Sequence, residues 1–179
     1  MSSMKKYELM KETKVIGGKT LFRIRALRSF GDIKAGDLGG FIENERNLSH
    51  GGNAWVGDNA QVGGNAEVYG NAEVYGDAEV YGDARVDGDA WVGGYARVNG
   101  DGLINSNNDY LCEQGLGSRN RSASFFKCKD GHIHVLCGCF SGNLDEFENK
   151  VKKEHGNSKY AKEYLGFIEV VKTHFEVRQ

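Results

Sequence analysis

Between Gly52 and Asn105, apolar positions recur every six residues with no break in phase. Ala occupies positions 54, 60, 66, 72, 78, 84, 90 and 96, and Gly102 stands ninth in that column. Val occupies 56, 62, 68, 74, 80, 86, 92 and 98, with Ile104 ninth. A strict short period means a stacked repeat fold. Ala and Val two apart point to the same side of a short strand, so each block offers one small and one branched group to an interior. The Gly-Asn and Gly-Asp pairs between them tolerate the backbone angles of a sharp corner. Three blocks should close one triangular coil, and nine blocks should stack three coils into a prism roughly 14 Å long, at ~4.8 Å per coil. Ile42 and Leu48 extend the Ala column backwards in steps of six, which predicts an imperfect coil ahead of the first clean block.

A three-block coil also predicts which side chains stack. Glu67 falls beside Arg85 and Glu79 beside Arg97, giving two exposed ion pairs worth ~0.2–1 kcal/mol each. Trp55, Glu73 and Trp91 share a ladder, and Tyr75 lies between Gly57 and Gly93. Outward aromatics on a flat face, Trp55, Tyr69, Tyr75, Tyr81 and Trp91, suggest a surface for self-association. Asp83 and Asp101 stack as like charges and read as solvated corner residues.

The open ends of such a stack would template aggregation unless flanking segments cover them. Residues 1–35 read as a cap built on a hairpin, Lys6 to Ile16 and Lys19 to Leu27 around Gly17-Gly18. Residues 36–105 form the repeat unit. After the polar break at 105–109, residues 106–179 read as a separate ββαα module, so the whole is mainly β with a small α+β tail. In that tail, Ser122 to Lys129 and His132 to Phe140 form a hairpin around Asp130-Gly131. Asn143, with Glu146 three residues on, starts a helix that Gly156 stops. A second helix begins near Ser158 with Tyr160, Tyr164, Ile168, Val171 and Phe175 as its apolar stripe.

Charge sharpens this division. Residues 1–35 carry nine Lys/Arg against three Asp/Glu, residues 36–105 three against twelve, and residues 106–179 eleven against ten. The basic head either meets a charged partner or packs against the acidic middle. No apolar run approaches the ~20 residues of a membrane span. The amino terminus lacks the apolar core of a signal peptide, and the four cysteines suit reduced thiols in a cytoplasmic setting.

The repeat resembles the hexapeptide-repeat acyltransferase superfamily, which implies a left-handed parallel β-helix. Enzymes of that superfamily use a histidine base in a cleft between subunits of a trimer, with a loop interrupting the coils. Here the blocks run uninterrupted, and His50 is the nearest histidine. The sequence therefore offers no catalytic residue and no cofactor, although acyl-CoA-dependent transfer stays open as an alternative. Gly36-Asp-Leu-Gly-Gly-Phe-Ile-Glu43, Gly117-Ser-Arg-Asn120 and Cys137-Gly-Cys-Phe-Ser-Gly142 make the whole chain similar to proteins carried by bacteriophages and prophages.

Two constellations in the tail carry possible chemistry. Cys128, His132, His134, Cys137 and Cys139 suggest zinc, but a hairpin pairing Cys128 with Ile133 and Phe126 with Val135 puts the cysteines and histidines on opposite faces, so no metal is expected. The loop Gly117-Ser118-Arg119-Asn120-Arg121 and the turn Ser141-Gly142-Asn143 should converge beside the first helix's N-terminus, where backbone N–H groups favour a phosphate or carboxylate. Together these features suggest a non-enzymatic oligomeric binder that interferes with host defence, by blocking a CRISPR complex or sequestering a nucleotide signal. It would act through the tail or the acidic prism. A host protein complex or nucleotide-like anion is the expected partner, direct nucleic-acid binding and membrane association are not expected, and a purely structural scaffold is the remaining alternative.

Overall fold

The computed structural model of the chain describes residues 5–176. It is mainly β, a β-solenoid of about four turns with an amino-terminal hairpin and two carboxy-terminal helices. Three strands come first: β1 (Tyr7–Ile16), β2 (Lys19–Ala26) and β3 (Leu38–Ile42). The repeats then supply nine two-residue strands, β4 to β12, at Trp55–Val56, Gln61–Val62, Glu67–Val68, Glu73–Val74, Glu79–Val80, Arg85–Val86, Trp91–Val92, Arg97–Val98 and Leu103–Ile104. They stack as parallel ladders in the expected steps, Trp55–Glu73–Trp91, Gln61–Glu79–Arg97 and Glu67–Arg85–Leu103. Every Ala and Val of the repeat faces the interior, each no more than 1% exposed. The corners need glycine because the backbones of successive coils nearly touch: a Cβ on Gly52 would sit 2.1 Å from the Gly70 carbonyl oxygen.

The first coil departs from the predicted phase. Ile42 pairs with Val62, and Leu48 bridges to Val68, so both fill the Val column and not the Ala column. Eight positions separate Leu48 from Val56, where six separate Val56 from Val62. The corner at 49–53 is therefore two residues longer than its counterparts. His50 sits in that longer corner, stacked on Tyr7 at 4.3 Å, and its Nδ1 accepts from the Lys6 N–H at 3.1 Å.

The stack has a chemical polarity. The Trp55 and Gly57 N–H groups donate to the Ala72 and Val74 carbonyls, and this direction repeats from coil to coil. The first coil is thus left with an excess of free carbonyls and the last with an excess of free N–H groups. The basic head supplies the donors. Fully buried Lys6 donates to the Ala54 carbonyl at 2.6 Å, Tyr7 Oη to the Leu48 carbonyl at 2.7 Å, and Arg23 to the Gly39 carbonyl at 2.7 Å. Burial, with Arg28 adding to it, pulls the Lys6 pKa down to about 8. β2 also pairs with β3, and β3 with β5, so one prism face runs on into the hairpin as a six-stranded sheet.

The tail supplies the acceptors at the other end. Asn107 Oδ1 takes the Trp91 N–H at 2.7 Å, Tyr110 Oη takes the Gly93 N–H at 3.4 Å, and Ser124 Oγ takes the Arg97 N–H at 2.9 Å. Asn107 lies in a short 3-10 turn at Asn107–Asp109, and Tyr110 and Ser124 belong to an antiparallel sheet of four strands, where the pattern suggests two: β13 (Tyr110–Leu116), β14 (Arg121–Lys127), β15 (Ile133–Cys137) and β16 (Phe140–Asn143). The strand before the hairpin and the one after it are glycine-bearing and without clean alternation, so only their neighbours make them strands. One face of the sheet, with Phe126, Cys128 and Leu136, seals the solenoid core. The other, with Phe125, Ile133 and Val135, packs on α1 (Leu144–His155) and α2 (Lys159–His174). α1 begins at the expected Asn143–Glu146 capping box and stops at Gly156, and α2 is capped by Ser158.

Gly102 breaks the Ala column for a reason visible here: a Cβ at that position would lie 2.6 Å from Val98 and 3.0 Å from the Phe126 ring. Gly102→Ala, although it restores the repeat consensus, should destabilise the chain by about 1–3 kcal/mol through overpacking, read as a lower urea midpoint. Ser124→Ala, which strands the Arg97 N–H, should cost about 1–3 kcal/mol in the same measurement.

Candidate functional site

The aromatic face proposed for self-association is not uniformly outward. Trp55 is 1% exposed, held under Phe30 at a ring distance of 5.5 Å, because the segment leading from the hairpin to β3 folds across it. Tyr75 lies over Gly57, Tyr81 lies over Gly63 with its hydroxyl 3.0 Å from Gln61 Oε1, and Tyr69 stacks with Arg85. Trp91 and Tyr95 are the aromatics that stand more than half exposed. The two predicted ion pairs form, Glu67–Arg85 at 3.0 Å and Glu79–Arg97 at 3.4 Å. Asp83 accepts from Asn65 Nδ2 at 2.9 Å.

The tail's chemistry is decided by one residue of register. β14 and β15 pair Phe126 with His134, Phe125 with Val135 and Ala123 with Cys137. The expected pairing of Phe126 with Val135 and Cys128 with Ile133 is off by one, and a one-residue slip moves side chains to the other face. The hairpin turns earlier than a two-residue Asp130-Gly131 loop would, since the Cys128 N–H donates to the His132 carbonyl and the Gly131 N–H to the Cys128 carbonyl. The slip has two consequences.

First, the expected anion site divides. Ser118, Arg119 and Arg121 line a cavity of about 370 Å³ on the helix side of the sheet, together with Lys150, His155 and Tyr164. Ser141 points to the other side, where its Oγ lies 2.9 Å from His134 Nε2. Gly142 and Asn143 line a different cavity. The helix N-terminus is already filled: Glu146 Oε2 accepts from the Asn143 N–H at 2.9 Å and Asn143 Oδ1 from the Glu146 N–H at 2.9 Å. With Asp145 and Glu146 in its first turn, that end repels an anion. Gly117 and Asn120 shape the loop: a Cβ on Gly117 would meet Tyr164 Oη at 2.2 Å, and Asn120 takes a positive φ of 52°.

The cavity on the helix side is basic and aromatic. Among the described residues neither Arg119 nor Arg121 has a carboxylate in ion-pair range, whereas Lys150 pairs with Glu154 at 2.8 Å. The Tyr164 ring stacks on His155 at 5.6 Å and meets Phe147 edge-on at 5.8 Å. Burial, then neighbouring Cys137, pushes the Tyr164 hydroxyl up to about 12. Lys150 and His155 were not foreseen as site residues, because on the helix they read as a solvated face, and Tyr164 read as core.

Second, the slip gathers Cys128, His132 and His134 on one face, against the expectation that separated them. Their ligand atoms all lie within 4.8 Å of one another. His132 and His134 line an open cavity of about 760 Å³ together with Asp101, Asp130, Asp145 and Glu146, and buried Cys128 lies behind them. Burial, then the Asp101 carboxylate, pushes the Cys128 thiol up to about 12. Burial, then neighbouring His132, lowers the His134 pKa.

Comparison with known proteins returns no matching family model and no matching curated protein.

Gly138 holds a φ of 61°, and a Cβ there would fall 2.2 Å from Arg121 Nη1. Gly138→Ala should cost roughly 1–2 kcal/mol from the left-handed backbone alone and should displace the guanidinium. Chemical denaturation measures the first effect, and the Arg121 side-chain NMR resonances report the second.

Proposed function

We propose that the chain is a non-enzymatic binding protein whose solenoid is a scaffold and whose tail holds an anionic small molecule. The supporting observation is the pair of arginines, Arg119 and Arg121, in an aromatic-lined cavity whose carboxylate, Glu154, is paired with Lys150, so that among the described residues neither arginine has an ion-pair partner. Guanidinium groups bind phosphate and carboxylate with two parallel hydrogen bonds. The Phe147, Tyr164 and His155 rings suit a planar group attached to the anion. At about 370 Å³ the cavity falls in the ordinary range for small-molecule sites. A phosphorylated aromatic of nucleotide type is the ligand class that uses all of these features.

The phage-like character of the sequence makes sequestration of a nucleotide signal the specific role we favour. Blocking a protein complex through the acidic prism is the second version, and two of the prism's acidic side chains, Glu67 and Glu79, are already paired with arginines.

Calorimetric titration with adenosine monophosphate and with inorganic phosphate tests the reading. Binding of the nucleotide, weakened about 10- to 100-fold or more by Arg119→Ala with Arg121→Ala, is the expected result, since a hydrogen bond to a charged group contributes about 1.5–3 kcal/mol. Equal affinity in the folded double variant sinks it. So does native mass spectrometry of protein purified from its host that finds no anionic small molecule bound while the nucleotide titration also stays flat.

A further inference from the structure

We propose that Cys128, His132 and His134 bind one zinc ion at the seam between the last solenoid coil and the tail sheet, with the Asp101 carboxylate as fourth ligand. This site lies on the opposite face of the sheet from the basic cavity and does not depend on the reading of that cavity.

The residue types suit zinc, which takes thiolate, imidazole and carboxylate in tetrahedral sites. The four side chains come from two parts of the fold that the seam holds together. Asp101 stands at the last coil's corner, where its carbonyl accepts from the Lys129 N–H at 3.2 Å and Gly102 bridges to Cys128. The histidines come from the turn and strand that follow Cys128. Bonds of ~2.0–2.3 Å meeting at tetrahedral angles separate neighbouring ligand atoms by roughly 3.5 Å. The ligand atoms of Cys128, His132 and His134 lie within 4.8 Å of one another, so side-chain rotation has to draw them in, together with the Asp101 carboxylate that neighbours the thiol.

The surroundings are also those of a metal site. His132 Nδ1 lies 2.5 Å from Asp130 Oδ1, which also accepts from the His132 N–H at 3.1 Å. A carboxylate on one imidazole nitrogen orients the ring and leaves Nε2 to coordinate. His134 Nε2 lies 2.9 Å from Ser141 Oγ, leaving Nδ1 for the ion. Cys128 is 3% exposed, which keeps the thiol from competing reactions. Asp130, Asp145 and Glu146 in the adjoining cavity add negative potential that draws a cation. On binding, the Cys128 S–H bond breaks, its proton leaves to solvent and a sulfur–zinc bond forms. Asp101, which lies beside that thiol, then faces a cation.

Metal-free protein, dialysed against chelator, is titrated with zinc chloride. One ion per chain is expected, with a rise in the thermal unfolding midpoint. Cys128→Ser and His134→Ala should each weaken binding at least tenfold, while Cys139→Ser, which removes an exposed thiol, leaves it unchanged. No uptake by the wild-type chain overturns the proposal, and so does uptake that Cys128→Ser does not weaken. Should the variants fail to fold, cobalt(II) added to the wild-type chain decides. A thiolate-to-cobalt charge-transfer band with shifted His132 and His134 imidazole resonances supports the site, and the absence of either overturns it.

Discussion

A stack of identical coils is never satisfied at its ends, and the rest of this structure depends on how those ends are closed. Within the solenoid most N–H groups that cross between coils donate to carbonyls of the next coil. A buried backbone group without a partner carries a cost comparable to a lost hydrogen bond, so the first coil needs donors and the last needs acceptors. The amino-terminal segment brings Lys6, Tyr7 and Arg23, and the tail brings Asn107, Tyr110 and Ser124. The basic character of residues 1–35 thus has a structural use at the carbonyl-bearing end. It is consistent with the head packing on the middle of its own chain.

Closing the far end also creates the places where chemistry can occur. The tail sheet has to present an apolar face to the Ala and Val column, and Phe126 does so over the space that Gly102 leaves empty. The opposite face then needs its own cover, which α1 and α2 provide. At the margins of these two interfaces the packing stays incomplete, leaving a basic, aromatic cavity on the helix side and an acidic cavity lined by His132 and His134 on the solenoid side. The prism itself, filled with methyl groups, holds no polar side chain of the repeat in its interior.

How much could be read in advance varies along the chain. The ladders Trp55–Glu73–Trp91 and Glu67–Arg85 followed from a period of six and a coil of three blocks, as did the buried Ala and Val columns. The caps of α1 and α2 were legible because a capping box is local. The phase of Ile42 and Leu48 was not, since a two-residue extension of the His50 corner shifts both into the Val column without altering the six-residue spacing between them. Trp55 was read as outward because its repeat position is outward, and its burial comes from a segment that precedes the repeat.

The sequence by itself determined the repeat's period, its inward columns, its corners and the helix boundaries, because each depends on neighbours within a few residues or on exact repetition. The tertiary structure decided the register of β14 against β15, the recruitment of β13 and β16, and therefore which tail side chains meet. Alternation within a strand says which residues share a face. It does not say where a hairpin turns, and the turn at Cys128–His132 is fixed by its own hydrogen bonds and by Lys129 docking on Asp101. Because side chains alternate with a period of two, that single position separates Ser141 from Arg121 and brings Cys128 to the two histidines.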